Sequence, residues 1–279
     1  MSASPLLAVE GLTRRFQGLV AVDAVDLAVR EGTVHGLIGP NGAGKTTLFN
    51  MVSGVLAPSA GSVRLDGRAL DGLAPYRRTA LGLARTFQNI RIFSEMTVLE
   101  NVMTGLHTRL SARLGILLRS PGFRAEERGA KARARDLLAF VGLSEAADLR
   151  AGALPYGDQR RLEIARALAC EPRLLLLDEP AAGMNPAETH ALLALLRRLR
   201  DERGLTLLLV EHDMPLVMSL CDRLTVLNFG RRIADGTPAE VRAHPAVIEA
   251  YLGAGSAQTG AGSAQTGSAP ASHPHGAAS

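Results

Sequence analysis

TVHGLIGPNGAGKTTLFNMVSGV, residues 33–55, holds three kinds of local sequence in one run. A short apolar stretch, TVHGLI, reads as a buried strand. A glycine-rich turn follows. The residues from Lys45 onward have the spacing of a helix. Across the turn, GPNGAGKT (39–46) matches G-x-x-x-x-G-K-[ST], a pattern that gains its meaning from a strand before it and a helix after it. Gly39, Pro40, Asn41, Gly42, Ala43 and Gly44 then form a loop in which Gly42 and Gly44 let the backbone turn its N–H groups inward around phosphate oxygens. The helix start adds its positive end. Lys45 is expected to reach the β- and γ-phosphates of a nucleotide and Thr46 to place its hydroxyl on Mg²⁺, with Thr47 beside it in the nucleotide site. Of the 31 lysines and arginines in the chain only Lys45 and Lys131 are lysines, so a compact ammonium has been kept where the loop needs one.

Two further apolar runs end in polar groups. LLLLDEP (174–180) delivers Asp178 and Glu179 at the C-terminal end of a strand, where open α/β sheets place their ligand sites. Asp178 is expected to hold Mg²⁺ and Glu179 to orient and deprotonate an attacking water. LLLVEHD (207–213) ends with His212, placed to bond the γ-phosphate and keep Glu179 and the water in line. RTFQN (85–89) supplies Gln88, able to reach Mg²⁺ or the water while lying at the entrance to a helical insert. Phe16 is a candidate stacking platform for adenine. His35, on the strand before the loop, reads as structural.

The composition bounds the alternatives. The 279 residues are 47% hydrophobic and 21% charged, enough for a buried core. Net charge is +4. That balance suits an anionic ligand or a membrane surface. Aromatic residues are 4% with no tryptophan, which leaves little to stack on nucleic acid, and none is expected as a partner. Cys170 and Cys221 form no CxxC pair and read as thiols of a reducing compartment. No signal peptide and no run of about 20 apolar residues is visible, so a cytoplasmic protein that docks on a membrane is expected.

Residues 6–30 read as antiparallel strands broken near Gly18. Short strands follow at 62–66 around an Asp66-Gly67 turn. From about 93 to 150 the spacing turns helical, with a basic stretch between 109 and 135. Strands and helices then alternate, with a hairpin at 223–236 and a single closing helix from Pro238. The predicted fold is α/β: a parallel sheet of the RecA-like P-loop NTPase kind, an N-terminal antiparallel β-subdomain, and an inserted α-helical subdomain over about 93–168. Residues 254–279 fall to Gly, Ser, Ala, Gln and Thr, with GSAQTGA followed by GSAQTGS, and read as an unfolded tail. HPH at 273–275 is a weak metal candidate.

With GPNGAGKT, Gln88, LPYGDQ, LLLLDEP and His212 in this order, residues 6–253 resemble the ATP-binding subunit of an ABC transporter. RTFQNIRIFSEMTVLENVM, LDEPAAGMNP, VEHDM and VIEAYLG bring it nearest to the importer ATPases for branched-chain amino acids of the LivG type. The resemblance implies head-to-tail pairs in which ATP lies between the phosphate loop of one subunit and the signature loop of the other. It also implies transmembrane permease subunits, a substrate-binding protein acting through them, and a place on the cytoplasmic face of the inner membrane. The signature loop here is Leu154, Pro155, Tyr156, Gly157, Asp158 and Gln159, against the common LSGGQ. Pro155 lacks the serine hydroxyl that would bond the partner's γ-phosphate, leaving Gly157 and the start of a helix near it. Losing that bond weakens a site by about 1.5–3 kcal/mol. The expectation is a heterodimer with a sibling carrying the full signature. Asn185, where many relatives carry Asp, fits the same asymmetry. An ATPase of a lipopolysaccharide-extracting transporter and a soluble, non-transport ABC protein are the alternatives. No N-K-x-D motif supports GTP.

Overall fold

The computed structural model describes residues 4–106 and 121–251. The repetitive tail, HPH and the front of the basic stretch lie outside the described residues. Two sheets organise the chain. The first is antiparallel, in the order β2-β1-β4-β5, from β1 (Leu7–Phe16), β2 (Leu19–Val29), β4 (Ala60–Leu65) and β5 (Arg68–Ala69). The β4–β5 turn holds Asp66 at φ 49° and Gly67 at φ 73°, the left-handed pair that a two-residue hairpin needs.

The second sheet runs β10-β9-β3-β8-β7-β6. Its members are β3 (Val34–Ile38), β6 (Leu83–Arg85), β7 (Leu174–Asp178), β8 (Thr206–Val210), β9 (Arg223–Asn228) and β10 (Arg231–Gly236). All neighbours are parallel except the β9–β10 hairpin at one edge. The leucine runs are explained by burial on both faces. Leu175 and Leu177 of β7 enter one core cluster, whereas Leu174 and Leu176 enter the other. A strand with water on one face would have alternated with polar residues.

Helices α1 (Lys45–Ser53), α2 (Pro75–Ala80), α3 (Val98–Leu106), α4 (Pro121–Val141), α5 (Tyr156–Leu168), α6 (Pro186–Arg203), α7 (Met214–Leu220) and α8 (Pro238–Ala243) surround these sheets. Val98, Val102, Leu138 and Leu162 join α3, α4 and α5 into a helical layer continuous with the core beneath β7. Asn185 caps α6 and shares a reciprocal capping box with Glu188. That gives Asn185 a local structural role whatever it does at an interface. The closing helix expected from Pro238 is two pieces. α8 stops at Ala243, His244 is extended, and helix resumes at 245–251. Pro245 drives its predecessor out of the helical region, which accounts for the break.

His35 is buried in the sheet. Its Nε2 lies 2.8 Å from the Thr225 hydroxyl, which itself donates to Asp235 at 2.7 Å. Burial lowers its pKa from 6.5 to about 4, with Asp235 raising it and Arg223 lowering it by less. The depressed value means the unfolded chain binds the extra proton first. Stability held above pH 6.5 is therefore lost as pH falls toward 4, by on the order of 3 kcal/mol. Denaturant titrations between pH 7 and 4.5 should show a shallower acid decline in His35→Gln than in the parent. Equal slopes would exclude this role.

Candidate functional site

The phosphate loop is held open from below. Gly44 stands at the start of α1 with φ 98°, and no side chain caps the helix. The first N–H groups of α1 are thus left without a side-chain partner, and Gly44 to Thr47 line the cavity above. A Cβ on Gly44 would lie 2.5 Å from the Ala21 carbonyl oxygen, and one on Gly39, at φ 149°, would overlap the Leu227 carbonyl oxygen. Only glycine fits either place. Lys45 Nζ donates to the carbonyls of Gly39 and Pro40 at 2.7 and 2.9 Å. Burial lowers its pKa and the nearby Glu179 carboxylate raises it. The lysine folds back across the loop that it serves.

A cavity of about 390 Å³ lies over the loop, lined by Asn41 to Thr47, Glu179, Leu19, Val20, Ala21, Phe229 and Gly230. Thr46 is exposed within it. The lysine, the threonine hydroxyl and the Glu179 carboxylate thus share one volume.

Gln88 and His212 meet at Glu179, although 33 residues separate Glu179 from His212 and 91 separate it from Gln88. Gln88 Nε2 donates to Glu179 Oε2 at 2.9 Å, and His212 Nδ1 lies 3.8 Å from Glu179 Oε1. Glu179 itself has φ 46°, a strained value for a side chain of its size, with its N–H donating to the Val210 carbonyl at 2.9 Å. The β8 end thereby fixes where the Glu179 carboxylate goes.

Asp178 is buried at the end of β7, and its Oδ2 accepts from Arg85 at 2.7 Å. Arg85 also donates to Asn50 and Ser53 at 2.7 Å each, so it fastens the acid to α1. The donor set suits Mg²⁺ in kind, since Thr46 and Asp178 offer hard oxygens and Mg²⁺ takes few protein ligands beside substrate phosphates. Among the described residues no group of three or more His, Cys, Asp or Glu could cage a metal alone.

Phe16 ends β1, half-exposed beneath the Arg14 guanidinium, 4.5 Å from its ring centre. It does not line the cavity, whereas Phe229, on the β9–β10 turn with φ 45°, does. The signature residues 154–159 also lie outside the cavity lining. Pro155 is the N-cap residue of α5, one position before the first turn rather than within it, and it offers no side-chain cap. Gln159 Nε2 donates to the Leu154 carbonyl at 2.9 Å, Tyr156 Oη to the Ala182 carbonyl at 3.0 Å, and Asp158 pairs with Arg161.

Sequence reasoning missed three residues. One is Arg85. The second is Glu211, a buried carboxylate that accepts from the Ala181 and His212 N–H groups at 3.0 and 3.1 Å and so joins the loops after Glu179 and before α7. The adjacent His212 was the only cue. Phe229 is the third, and nothing in a hairpin turn marks an aromatic as lining a distant loop.

A parallel sheet with a lysine-bearing anion cradle, facing a strand-end glutamate held by a glutamine and a histidine, defines a nucleoside-triphosphate-hydrolysing cassette. A family model described as ABC transporter matches residues 22–182, and one described as branched-chain amino acid ATP-binding cassette transporter matches residues 231–257. The high-affinity branched-chain amino acid transport ATP-binding protein BraF of Pseudomonas aeruginosa is 51% identical over 244 residues, 87% of this chain and 96% of that protein. LivG of Escherichia coli K12, with the same descriptive name, is 48% identical over 246 residues, 88% and 96% of the two chains. The ADP conformation of an ATP-binding cassette of an ABC transporter superposes with a TM-score of 0.78 at 33% identity, covering 90% of this chain and all of that one. A nucleotide-free cassette gives 0.77 at 32%, with 88% and 98% coverage. The chain belongs to the ABC transporter family, as an ATP-binding cassette ATPase. Membership implies permease partners in the membrane. No helix among the described residues is long and apolar enough to cross a membrane.

Proposed function

We propose that the chain hydrolyses ATP to power an importer of branched-chain amino acids, docked on permease subunits at the cytoplasmic face of the inner membrane. The cassette spans 6–253 with a helical insert at about 93–168, and the tail from 254 lies beyond it. The observation that carries the reading is the meeting of Gln88, Glu179 and His212 beside the Lys45 cavity.

In this reading the loop amides and Lys45 hold the triphosphate. Gln88 presses on one Glu179 oxygen and leaves the other toward His212, so the carboxylate can orient a water and take its proton as the water attacks. His212 steadies the γ-phosphate, and Phe16 supports the adenine. Thr46, Asp178 and Gln88 would hold Mg²⁺, which supplies charge neutralisation between the phosphates. The chemistry asks for positioning and charge more than covalent help.

The cargo assignment leans on the names of the 48–51% identical relatives. Its test is ATPase of the purified permease complex with its substrate-binding protein. Stimulation by leucine, isoleucine or valine is expected. Stimulation by none of them would remove the cargo. Activity tied to a homodimer and lipopolysaccharide, or co-purification with no membrane protein, would favour the alternatives.

Pro155 bears on the partner. A serine there would add both a helix cap and a bond to the facing phosphate. With a full-signature sibling, this chain would build one strong and one weaker site. Pro155→Ser should raise homodimer ATPase by roughly tenfold or more, and heterodimer ATPase by much less. Equal gains would count against the asymmetry.

A further inference from the structure

Arg160 is 2% exposed on α5, one turn after Tyr156. Its guanidinium gathers four partners. Nη1 donates to the Phe87 carbonyl at 2.6 Å and to Glu163 Oε2 at 3.0 Å. Nη2 donates to the Gln88 carbonyl and, at 3.4 Å, to the Tyr156 hydroxyl. Glu163 Oε1 accepts from the Phe87 N–H at 3.3 Å. The backbone on both sides of the Phe87–Gln88 peptide is therefore fastened to α5 by one buried fork. The Tyr156 hydroxyl donates in turn to the Ala182 carbonyl, three residues past Glu179. A guanidinium can span two carbonyls and a carboxylate at once, whereas an ammonium on a flexible stem cannot hold all three in that plane.

We propose that Arg160 is the positioning residue that sets the reach of the Gln88 amide to Glu179, with Tyr156 tying the same helix to the loop behind Glu179. A displacement of α5 then moves Gln88 and the Glu179 loop as one linked unit. The proposal rests on the reading of Gln88 as acting on the site.

The test is a double-mutant cycle on the purified ATPase complex. Its variants are Arg160→Lys, Gln88→Ala and the two together, with kcat and KM for ATP measured separately and thermal unfolding as a check of fold. Arg160→Lys keeps a cation beside Glu163. It should lower kcat about tenfold with KM for ATP within about twofold, and cause no further loss in the Gln88→Ala background. A purely structural role would lower both backgrounds alike. Additive losses, or an undiminished kcat in Arg160→Lys while Gln88→Ala is impaired, would overturn the proposal and leave the role of Gln88 standing. An unimpaired Gln88→Ala would remove the role of Gln88 and the proposal with it. If Arg160→Lys does not fold, Tyr156→Phe replaces it in the cycle. A kcat loss of about threefold that vanishes in the Gln88→Ala background supports the linkage, and no loss or an additive one refutes it.

Discussion

Glu179→Gln lowers steady-state ATP turnover by roughly 10²–10⁴-fold while leaving ATP affinity unchanged. The substitution keeps shape and still accepts the Gln88 amide hydrogen bond at one oxygen. It removes the group that can take a proton from water. Glu179 lines the cavity beside Lys45 and acts on it through charge alone, without a hydrogen bond, so the loop contacts that carry the triphosphate stay in place. Turnover and equilibrium nucleotide binding measured on the same preparation check the split. A variant that lost binding and turnover together would make Glu179 a ligand rather than a base.

Lys45→Ala weakens binding and turnover together. The ammonium is buried and faces its own loop carbonyls, so its loss deprives the cavity of the one lysine cation placed over the loop. A charge-assisted bond to phosphate is worth about 1.5–3 kcal/mol, or ten- to a hundredfold in affinity. A donor aimed at developing charge is worth a further 10²–10³ in turnover, as an order of magnitude. The alanine leaves a small void at the head of α1, and the fold should survive it. Nucleotide titration with circular dichroism alongside would show weak binding with intact helix content. Full ATP affinity in Lys45→Ala would contradict the cradle.

Much of this arrangement was legible because local patterns carried it. The Gly39–Thr46 spacing with its strand and helix announced the cradle. The leucine runs at 174–177 and 207–209 announced strands buried on both faces. Glu179 and His212 each follow an apolar run that reads as a strand, and the parallel register of β7 with β8 brings the two together, whereas Gln88 stands out only at the entrance to the helical insert. What was not legible depends on pairs far apart in the chain. Arg85 looks like any other of the many arginines until Asp178 arrives beside it from 93 residues away. Arg160 hides within an arginine pair on a helix. α2 and β6 are too short to show a period, and the break at His244 was overlooked because the apolar spacing on either side of it stays helical.

The most direct test of the account is a structure of the Glu179→Gln chain with ATP and Mn²⁺, read by anomalous scattering. The triphosphate should lie in the Lys45 cavity, with a metal peak between the Thr46 hydroxyl and Asp178. The γ-phosphate should point toward the carboxamide that the substitution puts in place of the Glu179 carboxylate. Nucleotide bound away from the phosphate loop, or a metal peak remote from both Thr46 and Asp178, would contradict it.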